Sequence, residues 1–226
     1  MGDTDRFDPG AVRAAQPACG PGAGATDFEA DPGVQLMLAW QRGDESAFDR
    51  IVEEYSPQVF ALLTRFLGRR APREDMVQEV FLRVVRARDR YRPSARLSTW
   101  LYRIAFNLSV NETQRLGGSG TLSLDLPLAH GGEDGASLGD LQKAPADVPS
   151  ARMERGDVVA AVRGAIARLP EKQRMALILA KYHDYPYVEI AAVLGSSEKA
   201  IKSLIHRARE SLRETLAPLL RTGDPS

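Results

Sequence analysis

From Val34 to Arg115, apolar residues recur at intervals of three and four, the spacing of amphipathic helices. LMLAWQRG reads as a short helix stopping at Gly43. Asp44 is placed to cap a longer one, ESAFDRIVEEYSPQVFALLTRFLG, closed by Gly68. Pro57 has no N–H to give and should kink or split that run. Pro72 opens a third helix, REDMVQEVFLRVVRARDRY, with Glu74 and Asp75 in the first turn, where the helix dipole favours acids. Ser98 is expected to cap a fourth, TWLYRIAFNLSVNETQR. The period disappears in residues 117–150, which are rich in Gly, Pro, Asp and Ser, and returns near Ala151. MERGDVVAAVRGAIARL is ended by Leu169-Pro170, EKQRMALILAKYH by Asp184-Tyr185-Pro186; YVEIAAVLG and KAIKSLIHRARESLR follow. No run alternates with the period of a strand. The expected fold is all-α: two small helical domains, 34–116 and 151–217, joined by a flexible acidic linker, 117–150, with a disordered N-terminal extension, 1–33, and a tail, 218–226.

The last two helices form a sharper pattern. Ala191 is small enough for a close helix crossing, Gly195 stands where a turn favours positive φ, and Ile201 opens the next helix. Ile201, Leu204, Ile205, Ala208 and Leu212 make one stripe. Lys199, Lys202, Ser203, His206, Arg207 and Arg209 lie on or beside the other face. That is a helix-turn-helix whose second helix can enter a major groove; an ordinary hairpin with a basic solvated face is the plainer alternative.

Charge supports the nucleic-acid reading. The 226-residue chain has a formal net charge of zero, yet it is blocked: net −4 over 1–33, +4 over 34–116, −4 over 117–150 and +5 over 151–221. Two basic blocks are what a polyanion requires. In the first, Arg86, Arg88, Arg90, Arg92 and Arg96 surround Tyr91 and precede Trp100, an arrangement that suits single strands: cations follow phosphates and rings stack on bases. Both aromatics equally suit a core. Arg103, Asn107 and Asn111 share one face of the fourth helix, opposite Leu101, Ile104, Ala105 and Leu108. In the third helix, Val77, Val80, Phe81 and Val84 turn inward, leaving Asp75, Gln78, Glu79 and Arg83 outward.

Other classes recede. His130, His183 and His206 are scattered and Cys19 is alone, so no metal site or disulfide is expected. No Gly-rich phosphate loop precedes a helix, so neither a cofactor nor an enzyme is expected. No segment is apolar enough to insert in a membrane and no signal peptide is visible, which fits a reducing, cytoplasmic compartment.

In order and spacing these segments resemble bacterial RNA polymerase sigma factors of the extracytoplasmic-function (ECF) group, over about Leu36–Arg115 and Met153–Leu216. EDMVQEVFLRVVRARDRY is similar to the D-x-x-Q-E-x-F helix that binds the polymerase clamp. LSTWLYRIAFNLSVN is similar to the S-x-x-x-W-L-x-x-I-A-x-N-L segment, and LPEKQRMALILAKYHDYPYVEIAAVLG with IKSLIHRARESLRE is similar to the domain that binds the −35 element. The resemblance implies a transcription initiation factor that binds core RNA polymerase (β′ clamp and β flap) and promoter DNA. Asp75, Gln78, Glu79 and Arg83 would dock polymerase. Tyr91, Arg92, Arg96, Trp100, Arg103 and Asn107 would handle the −10 element, and Ser197, Lys199, Lys202, Ser203, His206 and Arg207 the −35 element. Leu204 stands where relatives often carry Arg, and Phe106 replaces a frequent Arg beside the −10 surface. Members of the group are commonly held by an anti-sigma factor between their domains. The rival reading is a helix-turn-helix regulator of duplex operators acting without polymerase, which leaves the DMVQEVF helix and the Arg/Tyr/Trp segment unexplained.

Overall fold

The structure, a computed structural model, describes residues 28–68, 71–118 and 149–221. Residues 1–27 of the expected extension and 119–148 of the expected linker lie outside the described residues. Within them are eight α-helices and no strand: α1 (Pro32–Gln41), α2 (Glu45–Leu67), α3 (Arg73–Ala87), α4 (Leu97–Gly118), α5 (Pro149–Ala167), α6 (Glu171–Tyr182), α7 (Tyr187–Leu194) and α8 (Glu198–Arg221). Short 3-10 turns precede α1 and follow α3.

Most boundaries follow the sequence pattern. Asp44 caps α2, its carboxylate accepting from the Ser46 amide at 3.1 Å. The first helix starts earlier than the apolar period suggests. Asp31 caps it by accepting from Val34 N at 3.0 Å, and the same oxygen accepts from Leu97 N at 3.3 Å, so one carboxylate serves the starts of α1 and α4. Gly33 permits that close approach: a Cβ there would lie 2.8 Å from the Leu97 Cβ and 2.3 Å from the Tyr55 hydroxyl. Pro57 does not split α2, which runs unbroken across it. The proline is exposed, so the carbonyl it leaves unpaired can meet water. Ser98 does not cap α4; the helix begins at Leu97, and the Ser98 hydroxyl accepts from Tyr185 instead.

Helices α1–α4 form the N-terminal half and α5–α8 the C-terminal half, and the two halves pack on each other, chiefly α4 on α7 and α2 on α6. One hydrophobic core runs through both, from Val34, Trp40, Ile51 and Leu63 through Leu101 and Ala105 to Ile178, Ile190 and Ile201. Phe106 belongs to this core. It is 6% exposed and meets Phe66 edge-on at 6.0 Å.

The contact between the halves is rich in polar groups. The Arg174 guanidinium lies over the Phe66 ring at 4.9 Å and donates to the carbonyls of Phe66 (3.0 Å), Leu169 (3.1 Å) and Ala167. It thereby satisfies the ends of α2 and α5 together, where helices leave carbonyls unpaired. The Tyr102 hydroxyl donates to Gln58 Oε1 at 3.1 Å and meets His183 Nδ1 at 3.1 Å. Arg65 stacks over Tyr182 at 5.0 Å, and Thr113 donates to Glu171.

Candidate nucleic-acid interface

The C-terminal half builds its candidate face by burying the opposite one. Gly195 ends α7 at φ 57°, ψ 48°, a left-handed conformation open to glycine at low cost. The Ser196 amide then closes on Ala191 O at 2.9 Å. Ile201, Ile205 and Ala208 are buried against α6 and α7, while Leu204 and Leu212 are partly covered. Lys199, Lys202, Ser203, His206, Arg207 and Arg209 consequently face solvent. Two of them are engaged along the helix: Lys202 with Glu198 at 2.9 Å, which tightens its hold on its proton, and His206 with Glu210 at 3.3 Å. The Ser203 hydroxyl donates back to Lys199 O at 3.2 Å. Ser197 serves as a helix cap, its Oγ accepting from the Ala200 amide at 3.2 Å.

The aromatic-basic segment forms a small pocket. Tyr91, Arg92, Ser94, Ala95, Thr99 and Trp100 line it, and Ala192 of α7 completes the wall. The Tyr91 ring is only 4% exposed and sits 5.0 Å from Trp100, inclined at 46°. Burial raises its pKa, and its hydroxyl has no hydrogen-bond partner. Tyr91 is therefore the floor of the pocket, and the partly exposed Trp100 is the ring a base could reach. The loop is held from behind. Gln41 donates to Tyr91 O at 3.1 Å and to Arg88 O, and Arg88 stacks on Trp40 at 4.6 Å while pairing with Glu45 at 2.8 Å. Arg88 is thus structural, although sequence alone grouped it with the cationic surface. Arg92 donates to Tyr91 O at 2.9 Å. Arg103 is partly buried, which lowers its pKa, and Asn107 is exposed.

Thr99, which lines this pocket, and Arg96, just before it in sequence, share a partner. The Glu189 carboxylate of α7 pairs with Arg96 Nε at 3.4 Å and accepts from the Thr99 hydroxyl at 3.3 Å. No sequence signal pointed to this contact, since α7 read as scaffold for α8.

On α3 the buried stripe is Met76, Val80, Phe81 and Val84; Val77 is only partly covered and Met76 takes the inward place expected for it. Asp75 and Gln78 are exposed. Glu79 pairs with Arg83 at 2.8 Å and Arg86 at 3.5 Å. Leu82 and Val85, which the reading of polar positions passed over, are 48% and 42% exposed. Their exposure adds an apolar component that charge pattern could not reveal. Among the described residues, no group of three or more His, Cys, Asp or Glu could hold a metal ion, and no helix is long and apolar enough to cross a membrane.

Comparison with known proteins agrees along the chain. The Sigma-70 region 2 family model matches residues 51–117 and the Sigma-70 region 4 model matches 160–212. The RNA polymerase sigma-H factor of Pseudomonas aeruginosa is 35% identical over 83% of this chain and 95% of its own length. The ECF RNA polymerase sigma-E factor of Escherichia coli is 33% identical over 82% and 95%. The ECF RNA polymerase sigma factor SigW of Bacillus subtilis is 30% identical over 79% and 94%. The fold is shared with the sigma factor RpoE of Bartonella quintana, solved with the anti-sigma factor NepR (TM-score 0.55, 23% identity, 75% of this chain and 96% of that one). It is also shared with CnrH, solved with the cytosolic domain of CnrY (TM-score 0.55, 23% identity, 88% and 100%). With both regions matched in order along it and relatives of 30–35% identity covered almost end to end, the chain belongs to the ECF group of RNA polymerase sigma factors, which bind core polymerase and direct initiation at specific promoters.

Proposed function

We propose that residues 34–116 dock core polymerase and recognise and melt the −10 element, while residues 151–217 hold the −35 duplex. The observation that carries this division is the contrast between the two surfaces: a partly exposed Trp100 ring tilted against the buried Tyr91 and flanked by arginines, of the kind that stacks an unpaired base, and an exposed row of Lys199, Lys202, His206 and Arg207 suited to a groove. Trp100 stacks the captured base over Tyr91. Arg92, Arg96, Arg103 and Asn107 hold the neighbouring backbone. Lys199, Lys202, Ser203, His206 and Arg207 meet the −35 groove, and Ser197 fixes the start of their helix. Asp75 and Gln78, with the exposed Leu82 and Val85 and the Glu79–Arg83 pair, form the face for the polymerase β′ clamp. The C-terminal half meets the β flap. An anti-sigma factor is the expected inhibitory partner, because one relative of the same fold was solved with such a partner. The protein works in the cytoplasm and makes and breaks no covalent bond; polymerase supplies the chemistry.

Binding both domains to one polymerase turns the second promoter contact into an intramolecular event at high effective concentration. The test is transcription with sigma-free core polymerase on genomic promoter fragments. The wild type should give discrete starts sharing −35 and −10 elements. Trp100→Ala should retain polymerase binding and lose open complexes. Reversing Asp75 and Glu79 to Lys should abolish polymerase binding with the fold intact. Duplex binding without polymerase affinity would overturn the proposal in favour of an operator-binding regulator.

A further inference from the structure

Helix α1 carries none of the residues assigned above to DNA or polymerase, yet it holds the segment that presents Tyr91 and Trp100. Between α3 and α4 the chain makes one 3-10 turn, Arg88–Arg90, and then runs without helix to Leu97. A segment of this kind makes few hydrogen bonds of its own, so its shape depends on partners from outside. Helix α1 supplies them at both ends. At its C-terminal end the Gln41 amide donates to Arg88 O and, at 3.1 Å, to Tyr91 O. At its N-terminal end the Asp31 carboxylate accepts from Leu97 N at 3.3 Å.

The two Gln41 bonds bracket a single turn. The Tyr91 amide closes on Arg88 O at 3.3 Å, and Arg92 also donates to Tyr91 O at 2.9 Å. One amide nitrogen therefore fixes the backbone just before Tyr91 and at it, and with that the ring that lies 5.0 Å from Trp100 at 46°. The grip is reciprocal. Gln41 donates to the Arg88 carbonyl, while the Arg88 side chain donates to Trp40 O, lies over the Trp40 ring at 4.6 Å and pairs with Glu45 at 2.8 Å. The Trp40 indole donates to the same carboxylate at 2.9 Å. Attachment of α1 to the domain does not need Gln41, because Val34, Met37 and Trp40 are buried in the core. The Gln41 amide is directed at the shape of the Arg88–Tyr91 turn.

We infer that α1 is a splint for the segment that reads the −10 strand and that Gln41 is its positioning residue. Gln41 touches no nucleotide; it sets the Tyr91 backbone so that Trp100 and the flanking arginines meet the unpaired strand in one arrangement. The inference rests on the proposed role of Trp100 at the −10 element. A segment ordered beforehand need not be ordered when the strand binds, and that is the affinity which loss of Gln41 removes.

The test uses the full chain assembled with sigma-free core polymerase and two labelled probes from a mapped promoter: the short −10 single strand and the −35 duplex. Gln41→Glu keeps the shape and sets a carboxylate against the two carbonyls. Because that charge could disrupt the fold, Gln41→Met is the second variant, keeping the stem without donors or charge. Each should bind the single strand about tenfold more weakly than wild type. Affinity for the −35 duplex and for polymerase should be unchanged. In a Trp100→Ala background the same changes should have little further effect, since they act through that ring; general damage to the fold would add to its loss. Wild-type single-strand affinity in Gln41→Met, an equal loss for both probes, or a full additional loss in the Trp100→Ala background overturns the inference. Failure of the −10 reading looks different: Trp100→Ala alone would then leave single-strand affinity unchanged, and the inference would fall with it.

Discussion

Lowering the pH from about 7.5 to about 5 should loosen the contact between the two halves, and His183 is the group that couples protons to it. Its ring sits against Tyr102 of α4, with Nδ1 at 3.1 Å from the Tyr102 hydroxyl and Nε2 buried without a partner. Burial is the largest cause holding its pKa down at about 4 from the usual 6.5; the Arg65 guanidinium of α2 adds to this and Asp184 opposes it. Above pH 6.5 the ring is neutral in either form and the contact is at full strength. As pH falls below that value, an opened chain, with its ring in water, takes up a proton that the closed chain refuses. Near pH 5 the difference amounts to about 2 kcal/mol, or about thirtyfold in the ratio of closed to open. That is an upper figure, since the ring keeps partial contact with water. Near pH 4 the closed form protonates as well, and nothing of the advantage remains below it. Small-angle scattering across this range, on wild type and His183→Gln, measures the effect. Gln retains a hydrogen bond to Tyr102 without titrating, and carboxylates common to both proteins cancel in the comparison. Wild type should expand at a higher pH than the variant. Expansion of both at the same pH would refute the assignment.

Three further outcomes follow from particular contacts. Gly33→Ala should lower the unfolding free energy by about 1–3 kcal/mol in denaturant melts, because its Cβ has no room beside Tyr55 and Leu97. Ser197→Ala should cost about 1 kcal/mol of stability, as expected of a helix cap, and should weaken all −35 sequences alike; a selective loss for one sequence would make Ser197 a base reader. Lys202→Ala and Arg207→Ala should each reduce the salt slope of duplex binding by about one; an unchanged slope would show that neither meets a phosphate.

The parts of the fold legible in the sequence are those with a local period. The stripe Ile201–Ile205–Ala208, the turn at Gly195 and the cap at Asp44 depend on neighbours within a turn or two, and all appear where spacing put them. On α3 the same logic chose Val77 where Met76 is buried, because both residues fit the boundary of the stripe. What stayed hidden depends on distant pairings. Arg174 reads as a surface cation after Pro170, yet it reaches the end of α2. Ser98 has the composition of a cap and is used as a partner for Tyr185. His183 and Tyr185 stand in YHDYPY, a break between helices with more aromatic character than a solvated turn needs. That excess was the available signal of a buried junction. The site divides in the same way: the basic face of α8 follows from periodicity, whereas the burial of Tyr91 and the Glu189–Arg96 pair required the assembled chain.

Asp31 has a consequence for the order of events during synthesis. Its single oxygen serves the amides of both Val34 and Leu97, so the start of α4 is incomplete until the start of α1 is beside it. A chain made from its N-terminus has α1 waiting through the synthesis of α2 and α3 before that second amide emerges. The loop before Leu97 then takes its shape among the last events of the N-terminal half, but before α7 exists to cover it. Each newly made molecule thus passes through an interval in which Tyr91 and Trp100 belong to a completed N-terminal half while the wall that Ala192 adds beside them has still to be synthesised.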